Sequence, residues 1–127
     1  MKTKTSMLIA FLFTATVSIH AQQQGMPRRT VEERVKTAMD KISDPLKLDK
    51  GQQDRTTAVF TDYYTSQDKM REDARASGTR PDRSEMEKRI NDRDDKLKAI
   101  FSDEQFKKFK SDIEPTLRRQ RPQGSNS

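Results

Sequence analysis

The chain has 127 residues, no cysteine and one histidine, with 26 basic and 20 acidic side chains and a formal net charge of +6. This length suits one small domain. The lack of cysteine excludes disulfides and thiol chemistry, and four scattered glycines cannot form a phosphate-binding loop. We therefore expect neither enzymatic activity nor a cofactor.

The first 21 residues have the pattern of a secretory signal peptide. Lys2 and Lys4 give a positive start, residues 7–19 form an apolar run, and Ala21 supplies a small residue at the cleavage site. An apolar run this short falls below the roughly 20 residues that span a bilayer. We therefore expect export to the periplasm, cleavage before Gln22 and no stable membrane insertion.

The first helix is predicted to follow a flexible leader at 22–29. Thr30 and Glu33 have the spacing of a capping box, in which each side chain bonds the other's backbone N–H. Apolar residues then recur on one helical face until Pro45 stops the helix. They are Val31, Val35, Ala38, Met39 and Ile42.

Two further helices are predicted next. Helix two starts at the cap Asp49 and runs to Ala76, where Gly78 supplies a helix-ending residue. A fourth possible capping box at 82–85 opens helix three. Its apolar face is interrupted by charge at Arg93 and Asp94. The helix-two face is Thr56, Val59, Phe60, Tyr63, Met70 and Ala74, with Tyr64 at its edge; the helix-three face is Met86, Ile90, Leu97, Ile100 and Phe101.

The last helix is predicted from Asp103, with a kink or restart at Pro115. Residues 118–127 have the composition of a disordered basic tail. No segment shows the alternation typical of a strand. The sequence thus predicts an all-α fold of four amphipathic helices, confined to residues 30–117.

Two short elements repeat the same capping pattern. The first comprises Leu48, Asp49 and Gln52, and the second comprises Phe101, Ser102 and Gln105. In each, the middle residue can accept from the backbone N–H of the glutamine, whose side chain reaches back. Phe106 can pack on Phe101 as a hydrophobic staple. Each element is therefore expected to open a helix.

With the signal and the four helices, these two elements resemble the LTxxQ motifs of the Spy/CpxP-like periplasmic proteins. Asp49 and Ser102 replace the motif threonine, and Phe101 replaces its leucine. The resemblance implies an extended, cradle-like hairpin arrangement of the four helices in a cradle-shaped antiparallel dimer. It also implies an ATP-independent chaperone that binds unfolded envelope proteins. Alternatives within the family are modulation of an envelope-stress sensor kinase through its periplasmic domain, and metal resistance.

A low apolar content also favours self-association. Apolar residues make up 30% of the chain, against about 45–50% in ordinary soluble domains. Helices with such narrow apolar faces are expected to bury these faces against those of a second copy in a homodimer. Part of the same surface could contact unfolded clients. The candidate contact residues are Arg55, Val59, Tyr63, Lys69, Met70, Met86, Arg89 and Ile90.

Other kinds of ligand fit less well. Asp92 and Asp95 share a helical face, but Arg93 and Lys96 are interleaved with these carboxylates and would repel a cation, so no metal site is expected. The basic charge would suit nucleic acid in a cytosolic protein, whereas an exported protein is not expected to meet any. Unfolded exported proteins remain the expected partners.

Overall fold

A computed structural model describes residues 28–118. Over this range helices are the only regular secondary structure and no strand is present, which confirms the predicted all-α fold class. The predicted signal peptide, the leader up to residue 27 and the tail from residue 119 lie outside the described residues. Arg118, which the sequence analysis placed in the tail, is the last residue of a helix.

Side-chain caps fix where the helices begin. Thr30 opens α1 (Val31–Ile42) and Asp49 opens α2 (Lys50–Ala76), each with a complete capping box. Ser102 opens α4 (Asp103–Lys108) in the same way. These three predicted boxes are confirmed, because both reciprocal hydrogen bonds are present in each one.

The fourth capping box, predicted at the start of α3 (Arg83–Ile100), is only partly formed: the N-cap is present, but the reciprocal hydrogen bonds of the box are not. The Asp82 carboxylate caps the helix, but it accepts from the backbone N–H of Ser84 and not from that of Glu85. The Glu85 carboxylate lies 3.8 Å from the Arg89 guanidinium instead. An i,i+4 ion pair along the helix has therefore replaced the return hydrogen bond.

Helices α2 and α3 form a long antiparallel hairpin. The 27 residues of α2 correspond to a rod about 40 Å long at the usual rise per residue. The chain reverses at Gly78, whose φ of 68° lies in the left-handed region that favours glycine. Across the hairpin, the Lys96 ammonium lies 3.6 Å from the Asp62 carboxylate.

The core lies where α1 and the last helices pack against this hairpin. Phe60 and Phe109 are fully buried at its centre, with their ring centroids 6.3 Å apart in an edge-to-face arrangement. The other buried core residues are Val35, Ala38, Ile42, Leu46, Leu48, Val59, Leu97, Phe101 and Ile113. Met70 and Ala74 are also buried but lie outside this cluster, farther along α2.

The predicted disturbance at Pro115 takes the form of a π-helical turn. Residues Phe109–Ile113 follow α4 with this wider winding, and α5 (Glu114–Arg118) continues without a break. The backbone N–H of Glu114 donates to the Phe109 carbonyl, five residues earlier. Because Pro115 has no N–H to donate, a local change of winding before it keeps the chain helical.

Candidate functional site

The two predicted motif elements meet at one junction. Gln52 donates from Nε2 to the carbonyl of Ile100 at 3.0 Å and to Oε1 of Gln105 at 2.9 Å. Gln105 in turn donates from Nε2 to the carbonyl of Leu46 at 2.9 Å. Each glutamine therefore bonds a backbone carbonyl just ahead of the other element. The junction joins the 30–78 half of the fold to the 79–118 half.

Apolar residues of both elements seal this junction. Leu48 and Phe101 are buried, and Phe106 is half-buried. Phe101 and Phe106 both contact Phe109, with ring centroids 6.0 and 6.3 Å from it. The two predicted staple residues thus share a third ring, that of Phe109. All the motif residues therefore act in building the fold.

A buried cluster of charges was not recognised from the sequence. Arg93, read there as an interruption of the apolar face, has 5% of its side chain exposed. Its Nη2 donates to Asp94 Oδ1 at 2.6 Å and to Glu114 Oε1 at 2.7 Å. Lys110 Nζ donates to Asp94 Oδ2 at 2.7 Å and also pairs with Glu114. These contacts connect α3 to the last helical segment.

Aromatic rings surround the Arg93 guanidinium. Its central carbon lies 5.0 Å from the ring centroid of Tyr63, 5.6 Å from that of Phe109 and 6.0 Å from that of Phe60. Ring faces attract a cation electrostatically. Arg93 therefore lies in the core as a charge with carboxylates at its tip and aromatic rings around it.

The pKa values of this cluster show that its charges persist on burial. Burial alone would raise the pKa of Glu114, but hydrogen bonds from Lys110, Arg93 and Arg118 outweigh it and lower the pKa from 4.5 to about 2. Burial likewise opposes the charge on Arg93, and its hydrogen bonds to Asp94 and Glu114 raise the pKa overall. Glu114 and Arg93 therefore remain charged near neutral pH.

The predicted client-contact residues divide into three groups. Arg55 and Lys69 are exposed, as a contact surface requires. Tyr63, Met86, Arg89 and Ile90 are half-buried. Val59 and Met70 are buried, each with 8% of its surface exposed. They offer little accessible surface, and the contact role of all eight residues stays a prediction.

A groove between α2 and α3 brings three of these predicted residues together. It encloses about 200 Å³ and is lined by Val59, Tyr63 and Arg89, with Arg93 beside them. Asp62, Asp92 and Lys96 also line it, together with Ser66. A groove with both charge signs and an aromatic ring suits mixed polar and apolar contacts better than one small ligand.

The described residues contain neither a cluster of potential metal ligands nor a helix that could span a membrane. Within 28–118, no three His, Cys, Asp or Glu side chains are grouped so that they could hold a metal ion. Asp95 instead lies 3.9 Å from Lys98 in an exposed pair. No helix among the residues that the structure describes has the length and hydropathy to cross a bilayer.

Comparisons with known protein families, characterised proteins and solved structures found no match to this chain.

Proposed function

We propose that the protein is an exported, ATP-independent chaperone of the Spy/CpxP type. In this role it binds unfolded or partly folded proteins in the periplasm and slows their aggregation. The observation that carries the proposal is a set of larger apolar side chains that stay partly exposed on a highly charged surface. They are Val31, Met39, Tyr63, Tyr64, Met86, Ile90, Ile100, Phe106 and Leu117.

The outer part of the α2–α3 hairpin supports this role most directly. Met86 and Ile90 are half-buried and are not packed against the main core. A methionine side chain is flexible and polarisable, so it can adapt to differently shaped partners. Such contacts are weak individually and tolerant of sequence, as binding of unfolded chains requires.

The charged side chains on this part of the hairpin form weak, exposed ion pairs. Lys69 pairs with Asp73 and Arg83 pairs with Glu87, each four residues apart on an exposed helix surface. Exposed pairs of this kind contribute little to stability. A client segment can therefore replace either partner at small cost, which supports an encounter that depends on charge and weakens with salt.

The test is suppression of aggregation of a chemically denatured client, measured by light scattering at low and high salt. We expect the purified protein to suppress aggregation, and Met86→Ser combined with Ile90→Ser to suppress it less. Ala99→Ser changes an exposed residue of the same helix and serves as the control. Circular dichroism verifies that all variants remain helical. Unimpaired aggregation at low salt would refute the proposal.

We also propose that the chain functions as a homodimer. The support is the set of partly exposed apolar side chains on α1 and on the last helices, which a second copy could cover. Sedimentation equilibrium over a range of micromolar concentrations tests this. A fully helical monomer throughout that range would contradict it without bearing on client binding.

A further inference from the structure

The groove between α2 and α3 is open to solvent, so a ligand can enter it without moving any helix. Four residues of α2 and four of α3 line it. Each set has the spacing i, i+3, i+4 and i+7, which places its members along one face of the helix. The groove encloses about 200 Å³, whereas sites for small molecules usually enclose roughly 300–1,000 Å³. It therefore suits one or two side chains of a larger ligand.

Two of the three cations in this groove are already paired. Arg93 donates to two carboxylates of the buried charge cluster. The Lys96 ammonium lies 3.6 Å from the Asp62 carboxylate. The third cation, Arg89, has no partner within hydrogen-bond distance among the described residues. Arg89 is therefore the cation of the groove that is left to bind a ligand.

Arg89 holds unfilled hydrogen-bond donors at the wall of the groove. Its Nε is buried and bonds nothing in the described chain, and its Nη2 lies 3.8 Å from the Glu85 carboxylate. The side chain is 28% exposed, so part of it is accessible to a ligand. Arg34, whose side chain is 18% exposed, donates to the Asp68 carboxylate. A partly buried guanidinium without such an acceptor is unfavourable, and a ligand carboxylate would relieve this cost.

We propose that the groove binds an acidic side chain of an unfolded client and that Arg89 receives its carboxylate. A guanidinium presents planar donors that match the two oxygens of a carboxylate, and such charge-assisted hydrogen bonds are strong. Val59 and the Tyr63 ring line the same groove and contact the apolar residue next to the acidic one. The inference rests on the proposed function, because it names the site and the kind of client segment.

Asp92 determines which acidic segments fit the groove. It lies three positions after Arg89 on α3, lines the same groove and is exposed. Its carboxylate repels a second acidic residue placed beside the first, because like charges at this distance oppose each other. The groove therefore favours an isolated acidic residue between apolar residues over a cluster of acidic residues.

NMR titration of the isotope-labelled protein at physiological salt tests this proposal. The probe is the peptide Gly-Ser-Leu-Glu-Leu-Ser-Gly, and its analogue with glutamine in place of glutamate is the control. The glutamate peptide should shift the side-chain Nε–H signal of Arg89, which is identified by its loss in Arg89→Gln. The glutamine analogue should bind about tenfold more weakly, since a neutral amide cannot form the charge-assisted bonds.

Matched variants separate the groove from the net charge of the protein. Arg89→Gln should weaken binding of the glutamate peptide about tenfold. Lys88→Gln, an equal charge change at an exposed neighbour outside the groove, should bind like the wild type because distant charges are screened. Asp92→Asn should tighten binding about threefold by removing a like charge. Asp95→Asn, on the same helix but outside the groove, should not.

The outcomes distinguish this inference from the chaperone proposal. Equal binding of the two peptides, or equal effects of Arg89→Gln and Lys88→Gln, would overturn the inference. Suppression of aggregation by the wild-type protein would then leave the chaperone proposal standing and reject only the groove. Selective peptide binding without suppression of aggregation would reject the chaperone role and keep the groove. If Arg89→Gln fails to fold, Arg89→Lys keeps the charge without the planar donors and should still bind more weakly than the wild type.

Discussion

Replacing Gln105 by alanine tests how much the motif junction contributes to stability. Its side chain accepts from the backbone N–H of Ser102 at 2.9 Å and from Gln52 at 2.9 Å, and it donates to the Leu46 carbonyl at 2.9 Å. A typical intramolecular hydrogen bond contributes about 0.5–1.5 kcal/mol net. The three bonds together correspond to a loss of roughly 1.5–4.5 kcal/mol in the free energy of unfolding.

Urea unfolding followed by circular dichroism measures this loss. Gln53→Ala is the matched control, because Gln53 makes one side-chain bond, from Nε2 to the Leu48 carbonyl at 2.9 Å. The control should lose about 1 kcal/mol. A double mutant of Gln52 and Gln105 should show a coupling of roughly 0.5–3 kcal/mol. If Gln105→Ala costs no more than Gln53→Ala, the two elements do not hold the halves together.

Three further predictions concern the buried charges and the hairpin turn. Arg93→Met should destabilise the protein by about 3–5 kcal/mol in urea unfolding, since it leaves buried carboxylates short of a partner, whereas Lys96→Met in an exposed pair should cost under about 1 kcal/mol. Because the pKa of Glu114 is lowered to about 2, its carboxylate stabilises the fold fully above about pH 4.5, and this contribution is lost as the pH falls through about 2. The Tm of Glu114→Gln should therefore vary less with pH in that window than the wild-type Tm, and parallel curves would contradict this. Gly78→Ala should lower the Tm by an amount equivalent to about 1–2 kcal/mol, because of the left-handed backbone, and an unchanged Tm would show that the turn relaxes.

The helix starts could be predicted from the sequence because their causes are local. A cap needs one oxygen-bearing side chain and an N–H two or three residues later, which is why Thr30, Asp49 and Ser102 were recognised. Asp82 was only partly predicted, since Glu85 had two competing partners within one turn. Local spacing cannot decide between the N-cap backbone and Arg89.

The buried charges could not be predicted in the same way. Arg93 and Asp94 lie among apolar residues only because Glu114 and Lys110 reach them from a segment about twenty positions away. Without that contact, charge on an apolar face predicts a gap in the packing. The burial of Val59 and Met70 was not predicted for the related reason that a helical wheel shows which residues share a face but not what covers it. The dimer and the family relationship stay predictions.

The reciprocal glutamine contacts make the two halves of the fold depend on each other. The Gln52 side-chain amide donates to the Ile100 carbonyl in the second half of the fold. The Gln105 side-chain amide donates to the Leu46 carbonyl in the first half. A polypeptide cut at the exposed Gly78 turn would therefore yield two fragments with complementary unsatisfied amides. We therefore expect the two fragments to associate when they are mixed, because each supplies the hydrogen-bond partners that the other lacks.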